Sequence, residues 1–252
     1  RHILIVEDNT VNQQVTALIL DSIGATYDIA ENGLVGLRLV NSNRYDAALV
    51  DIQMPVMDGL TFAKKVRSQS RFKSLPLIAM TAHTYPEDKQ RSIRAGMSLH
   101  INKPIERSSL IEALKTFLEF DKTANPKEPS VPALVEQTNP TEVLDKENLL
   151  AQVGGNFGLM LKLLTLFKES KLDELKMLQS NVLEFDSLAL FSKLHNYEGM
   201  LANIRASESV LVIQQLRTAL KADDTDMITV ATKNWEDSLQ RLIKEINTII
   251  SQ

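Results

Sequence analysis

The sequence predicts two units of different architecture: an open, doubly wound parallel α/β sheet over residues 1–120 and an all-α helical bundle over residues 143–252. Three observations predict it. In the first half, short and nearly all-apolar runs alternate with amphipathic stretches. A proline-bearing segment then interrupts the pattern, and beyond it only helical spacing survives.

The five runs are Ile3–Val6, Tyr27–Ala30, Ala47–Val50, Leu77–Met80 and Leu99–Ile101. They lack in–out alternation, as strands of a parallel sheet covered on both faces should. Amphipathic stretches between and after them place helices at about 10–23, 33–42, 59–69, 86–95 and 107–120, which makes five βα repeats with right-handed crossovers. Residues 121–142 carry Pro126, Pro129, Pro132 and Pro140 among polar residues, the composition of an extended linker. In the last unit, Leu159, Leu163, Leu166 and Phe167 keep helical spacing, as do Leu172, Leu175 and Leu178. Val212, Leu216 and Leu220 follow, then Leu239, Leu242, Ile246 and Ile249. With breaks at Gly154-Gly155, Glu184–Asp186, Ala206-Ser207 and Asp223-Asp224, this reads as a bundle of four or five helices.

Composition narrows the function. Of 252 residues, 44% are hydrophobic and 24% charged, the profile of a globular chain, and the formal net charge is −4. Nucleic acids and anionic membranes want clustered positive charge, so neither is an expected partner. The absence of cysteine excludes disulfides, thiolate zinc sites and a cysteine nucleophile, and suits a reducing, cytoplasmic setting. No apolar run approaches the ~20 residues of a membrane helix, so direct membrane contact is not expected of this segment. The chain enters its first strand almost at once after Arg1, which suggests a piece of a longer protein.

In an open parallel sheet, ligands bind beyond the carboxyl ends of the strands where the strand order reverses. The first strand ends in Glu7-Asp8 and the third in Asp51. As neighbours they would bring three mutually repelling carboxylates together, an arrangement that a hard divalent ion such as Mg²⁺ resolves. The fourth strand ends in Thr81 and the fifth delivers Lys103, so a hydroxyl and an ammonium reach the same rim. An acid ending one strand is most often a helix cap or a solvated charge. An acid pair, an acid, a hydroxyl and a lysine ending four strands is a far rarer coincidence.

The runs Ile3–Asn9, Asp51–Gly59, Met80–His83 and Asn102–Pro104 resemble the signature of response-regulator receiver domains, above all those of hybrid sensor histidine kinases. The resemblance implies a flavodoxin-like fold. It implies Asp51 as the residue that takes phosphate from a phosphohistidine, with Glu7, Asp8, Asp51 and the backbone carbonyl of Gln53 around Mg²⁺. Thr81 would hydrogen-bond the phosphoryl group and Lys103 would pair with it. The expected partners are a histidine kinase core, or another phosphohistidine donor, and further phosphotransfer and receiver domains. A slow autophosphatase activity is compatible with such a site. The position three before the lysine, usually an aromatic switch residue, is His100.

In the last unit, Leu190, Leu194, Tyr197, Leu201 and Ile204 form one apolar helical stripe. His195 lies about 140° from its centre, so its imidazole is expected to face solvent beside Leu188, Gly199 and Ala202. The stretches Val153–Asn156, His195–Gly199 and Ala202–Ile204 resemble a histidine phosphotransfer domain. That resemblance implies that His195 relays phosphate to or from a receiver aspartate. The chain departs from the family at Glu198, which stands where a lysine is usual, and at Met200, Leu201 and Arg205, which replace small residues and a glycine. An exposed anion one turn from the histidine would oppose a phosphoryl group by about 1 kcal/mol. Two readings stay open: a phosphorelay segment, and a phosphorylation-switched receiver whose bundle only docks a partner. A metal-dependent hydrolase of the haloacid type would want a second aspartate at position 53, where Gln53 stands.

Overall fold

A computed structural model of the chain describes residues 1–81, 86–118, 142–180, 182 and 187–251. The chain divides into two compact units, Arg1–Glu128 and Pro129–Gln252.

The first unit is a five-stranded parallel sheet in the order β2-β1-β3-β4-β5, with β1 at His2–Val6, β2 at Thr26–Ala30, β3 at Ala47–Asp51, β4 at Leu77–Thr81 and β5 at Leu99–Asn102. Helices α1 (Thr10–Asp21), α2 (Gly33–Ser42), α3 (Gly59–Arg67), α4 (Pro86–Ala95) and α5 (Arg107–Phe117) follow the strands in turn. β1 and β3 are buried almost throughout, which explains why their sequences show no alternation. Leu4, Val6, Ala48, Val50, Phe62 and Val66 pack in one core on a single side of the sheet. The chain runs outward from β1 to β2 and then returns past β1 to β3, so the order reverses between β1 and β3. Three helices begin on side-chain caps: Asn9 accepts the N–H groups of Val11 and Asn12, Asn32 that of Val35, and Asp58 that of Thr61. Two of these, Asn9 and Asp58, stand where the chain leaves β1 and β3 at the reversal. Helix α5 ends at Phe117, short of the expected 120.

The second unit contains helices α6 (Lys146–Gln152), α7 (Phe157–Ser180), α8 (Ser187–Asn203), α9 (Ser207–Ala222) and α10 (Thr225–Ile250). Gly154 and Gly155 both adopt positive φ, closing α6, and Asn156 then accepts the N–H of Leu159 to open α7. Trp235, Phe167, Leu194, Leu216 and Leu242 are fully buried among these helices. The breaks at Ala206-Ser207 and Asp223-Asp224 fall between helices. The break expected at Glu184–Asp186, the linker positions 121–141, and Ala82 and His83 lie outside the described residues.

Candidate phosphoacceptor site and the histidine of the helical unit

At the switch point the register aligns Val6 with Val50, so Glu7 and Asp51 leave neighbouring strands side by side. Oxygens of Glu7, Asp8 and Asp51 all lie within 4.8 Å of one another. Lys103, directly after β5, reaches across with Nζ 2.8 Å from Asp51 Oδ2 and 2.8 Å from Glu7 Oε2. Thr81 ends β4 beside Asn102, and its carbonyl accepts the Lys103 N–H at 2.8 Å. Glu7, Asp8, Asp51, Thr81 and Lys103 therefore occupy one rim.

Local structure fixes each group. Asp51 Oδ1 accepts the Gln53 N–H at 3.2 Å, which leaves Oδ2 for Lys103. Glu7 Oε1 accepts from Asn9 N and Asn12 Nδ2, while Gln13 Nε2 donates to the Glu7 carbonyl at 2.7 Å. Nothing in the sequence singled out Asn12 and Gln13 as braces, because their roles depend on α1 folding back beneath its own strand. Gly59 opens α3 against the Asp51 backbone; a Cβ there would lie 2.2 Å from the Asp51 carbonyl oxygen. Only glycine allows that approach.

Charge and burial shape the chemistry. Glu7 is 1% exposed and Asp51 6% exposed. Burial, and then repulsion from Asp51 and Asp8, push the Glu7 carboxyl from the ordinary range up to about 8, despite the opposing pull of Lys103. Burial alone would pull Lys103 down. The charges and hydrogen bonds of Asp51 and Glu7 outweigh it and keep the ammonium protonated. One cation against three carboxylates leaves the cluster electron-rich, an all-oxygen donor set that suits a hard divalent ion.

In the helical unit the expectation of a solvent-facing imidazole fails: His195 is 7% exposed. Helix α8 has the expected apolar stripe, but its other side is covered too, with Glu198 and Gly199 buried and Asn196 and Ala202 half-buried. Glu198 Oε1 accepts from Gln214 Nε2 at 2.8 Å, and Oε2 is ion-paired with Arg217. Arg217 also lies over the Phe191 ring, 4.5 Å from its centroid, and Lys221 Nζ lies 5.2 Å from the same ring. Gln214, Arg217 and Lys221 all belong to α9, so this helix covers the face expected to be open. Their spacing of three and four is a stripe in its own right, and it was the available signal.

Comparison with known proteins supplies the deciding observation for the first unit: residues 3–115 match the response regulator receiver domain family. Residues 3–115 are a response regulator receiver domain. The chain is 37% identical over 121 residues to the sensor histidine kinase CheAY of Helicobacter pylori, covering 47% of this chain and 15% of that protein. It is 27% identical over 248 residues to the aerobic respiration control sensor protein ArcB of Escherichia coli, covering 97% of this chain and 30% of that protein. The chain thus spans less than a third of either curated relative. Among solved structures, the receiver domain of the sensor histidine kinase PA1611 of Pseudomonas aeruginosa, with magnesium coordinated in its active-site cleft, is 35% identical. It covers 46% of this chain and 96% of that one, with a TM-score of 0.45.

Within the receiver, His100 of β5 meets Ser92 of α4 through Nε2. Burial, and then the charge of Lys89, lower the imidazole below its ordinary value. The position that usually holds an aromatic ring is therefore filled by a neutral imidazole tied to α4.

Proposed function

We propose that the chain is a phosphorelay segment of a hybrid histidine kinase, in which Asp51 accepts a phosphoryl group from a phosphohistidine with the aid of Mg²⁺. The observation that carries this reading is the contact of Lys103 Nζ with Asp51 Oδ2 at 2.8 Å, beside two further carboxylates. Glu7, Asp8, Asp51 and the Gln53 carbonyl would hold the metal, and the burial and carboxylate repulsion that raise Glu7, only partly offset by Lys103, fit a cation there. When bound, Mg²⁺ supplies positive charge to the oxygens of the phosphoryl group. The chain's own residues do the rest. The Gln53 N–H orients the nucleophile, Lys103 faces the charge that builds on the equatorial oxygens, and the Thr81 hydroxyl stands at the rim to receive the new phosphoryl group.

The test is labelling with acetyl phosphate and Mg²⁺. The wild-type chain should form a base-labile acyl phosphate and Asp51→Asn should form none. Full labelling of that variant would refute the assignment.

In this reading His195 relays the group to or from a receiver aspartate. The burial of His195 favours a second reading, in which the helical unit docks a partner and the histidine is inert. A base-stable, acid-labile label on His195 separates the two.

A further inference from the structure

We propose that Arg217 is the cation that faces a phosphoryl group on His195, with Glu198 as the positioning residue that holds it; this rests on the relay reading of His195. Phe191 lies four residues before His195 on α8, and Glu198 three residues after it. On a helix these three side chains fall on one side, with Phe191 and Glu198 about 20° apart and His195 about 40–60° from them. The Arg217 guanidinium touches both flanking groups, lying 4.5 Å from the Phe191 ring centroid and ion-paired with Glu198. It therefore passes beside the turn that carries His195.

Three features suit that guanidinium to an anionic ligand. Arg217 is 8% exposed, so its charge is little screened. Glu198 occupies one edge of its fork, and among the described residues its buried Nε–H finds no acceptor. A phosphoryl oxygen would satisfy that donor. Lys221, on the other side of Phe191, adds a second positive charge to the same face.

The charge conflict seen in the sequence is thereby recast. Glu198 is neutralised by Arg217 and hydrogen-bonded by Gln214, so it serves as a strut and does not confront the histidine as a bare anion. A cation is delivered here from α9, in place of the lysine that the resemblance to phosphotransfer domains leads one to expect at position 198. Transfer from an aspartyl phosphate forms a P–N bond to the unprotonated ring nitrogen as the acyl P–O bond breaks, and the electron pair leaves with the carboxylate. Arg217 stabilises the phosphoryl oxygens during that exchange and in the product.

The full chain, incubated with acetyl phosphate and Mg²⁺, is read for phosphate on Asp51 and His195 by peptide mass spectrometry, with the decay of phosphohistidine followed after donor removal. Arg217→Ala should lower phosphohistidine about tenfold or more, and Arg217→Lys should recover most of it. Glu198→Gln, which keeps the hydrogen bond from Gln214, should show a smaller loss. Thermal unfolding of each variant identifies any that fail to fold, in which case Arg217→Lys and Glu198→Gln carry the test. Wild-type phosphohistidine levels in a folded Arg217→Ala overturn the proposal and leave the relay standing. A gain in Glu198→Lys also overturns it, since the needed cation would then have been missing. A wild-type chain labelled on Asp51 alone sinks the relay reading and this proposal with it.

Discussion

Glu7 is the group in the receiver whose protonation the fold shifts furthest toward neutrality, and its position between Asp51 and Asp8 gives the shift a measurable consequence. The folded carboxyl titrates near 8 against an unfolded value of 4.5, so the folded state binds more protons between those limits. Stability without divalent ions is then greatest below about pH 4.5 as far as this group is concerned, and is lost as pH rises through 8. Mg²⁺ should oppose the loss by favouring the ionised form. Melting temperatures measured across this range should fall with pH in EDTA, and flatten in Mg²⁺ or in Glu7→Gln; a flat wild-type profile in EDTA would contradict the shift. At this scale the sequence showed the acids, Thr81 and Lys103, because strand ends converge wherever a parallel sheet reverses its order. It did not show Arg217, which lies 22 positions beyond His195, next to the apolar Leu216, where a charge normally reads as a solvated flank. The spacing of Gln214, Arg217 and Lys221 marks a polar stripe, but pairing between helices far apart in the chain leaves no local sign of which helix it meets.

The strands were legible to within one residue, most plainly in β1 and β3, where burial leaves polar residues only at one end of each, His2 and Asp51. Helix starts were legible from the amphipathic stretches, and the structure adds their local cause: Asn9, Asn32 and Asp58 carry short acceptors that satisfy the first free N–H groups. Asn9 joins two roles, since it caps α1 and donates its own N–H to Glu7. Asn9→Ala should therefore lower receiver stability by about 1 kcal/mol in urea unfolding. Asn9→Asp, which keeps the cap, should retain most of it. Equal losses in both variants would show that the cap is not the source. Helix α8 was misjudged because a single apolar stripe describes a helix with one covered side, and this one is covered on two. Its second covering is polar, built of Glu198, Gln214 and Arg217, and hydrophobic periodicity cannot register it.

Over the whole molecule, the clustered acids Glu7, Asp8 and Asp51 lie in one unit and the single tryptophan in the other. Trp235 is fully buried in α10, so its fluorescence reports the helical unit alone. On the proposed function, Mg²⁺ would bind the Glu7, Asp8 and Asp51 cluster of the receiver and should raise only the receiver's unfolding midpoint. The expected outcome is a Mg²⁺-dependent shift in far-ultraviolet circular dichroism with an unmoved tryptophan transition; a tryptophan transition that tracks Mg²⁺ would mean that the units unfold together. The receiver sheet carries one more consequence. Glu7, Asp51, Thr81 and Lys103 stand at the ends of four adjacent strands, β1, β3, β4 and β5. Backbone hydrogen bonding holds such strands about 4.8 Å apart whatever their sequence. The ladder acts as a ruler: main-chain geometry sets the spacing of the strand ends beneath the hollow, and the loop contacts of Asn9, Gln53 and Gly59 only aim the side chains across it.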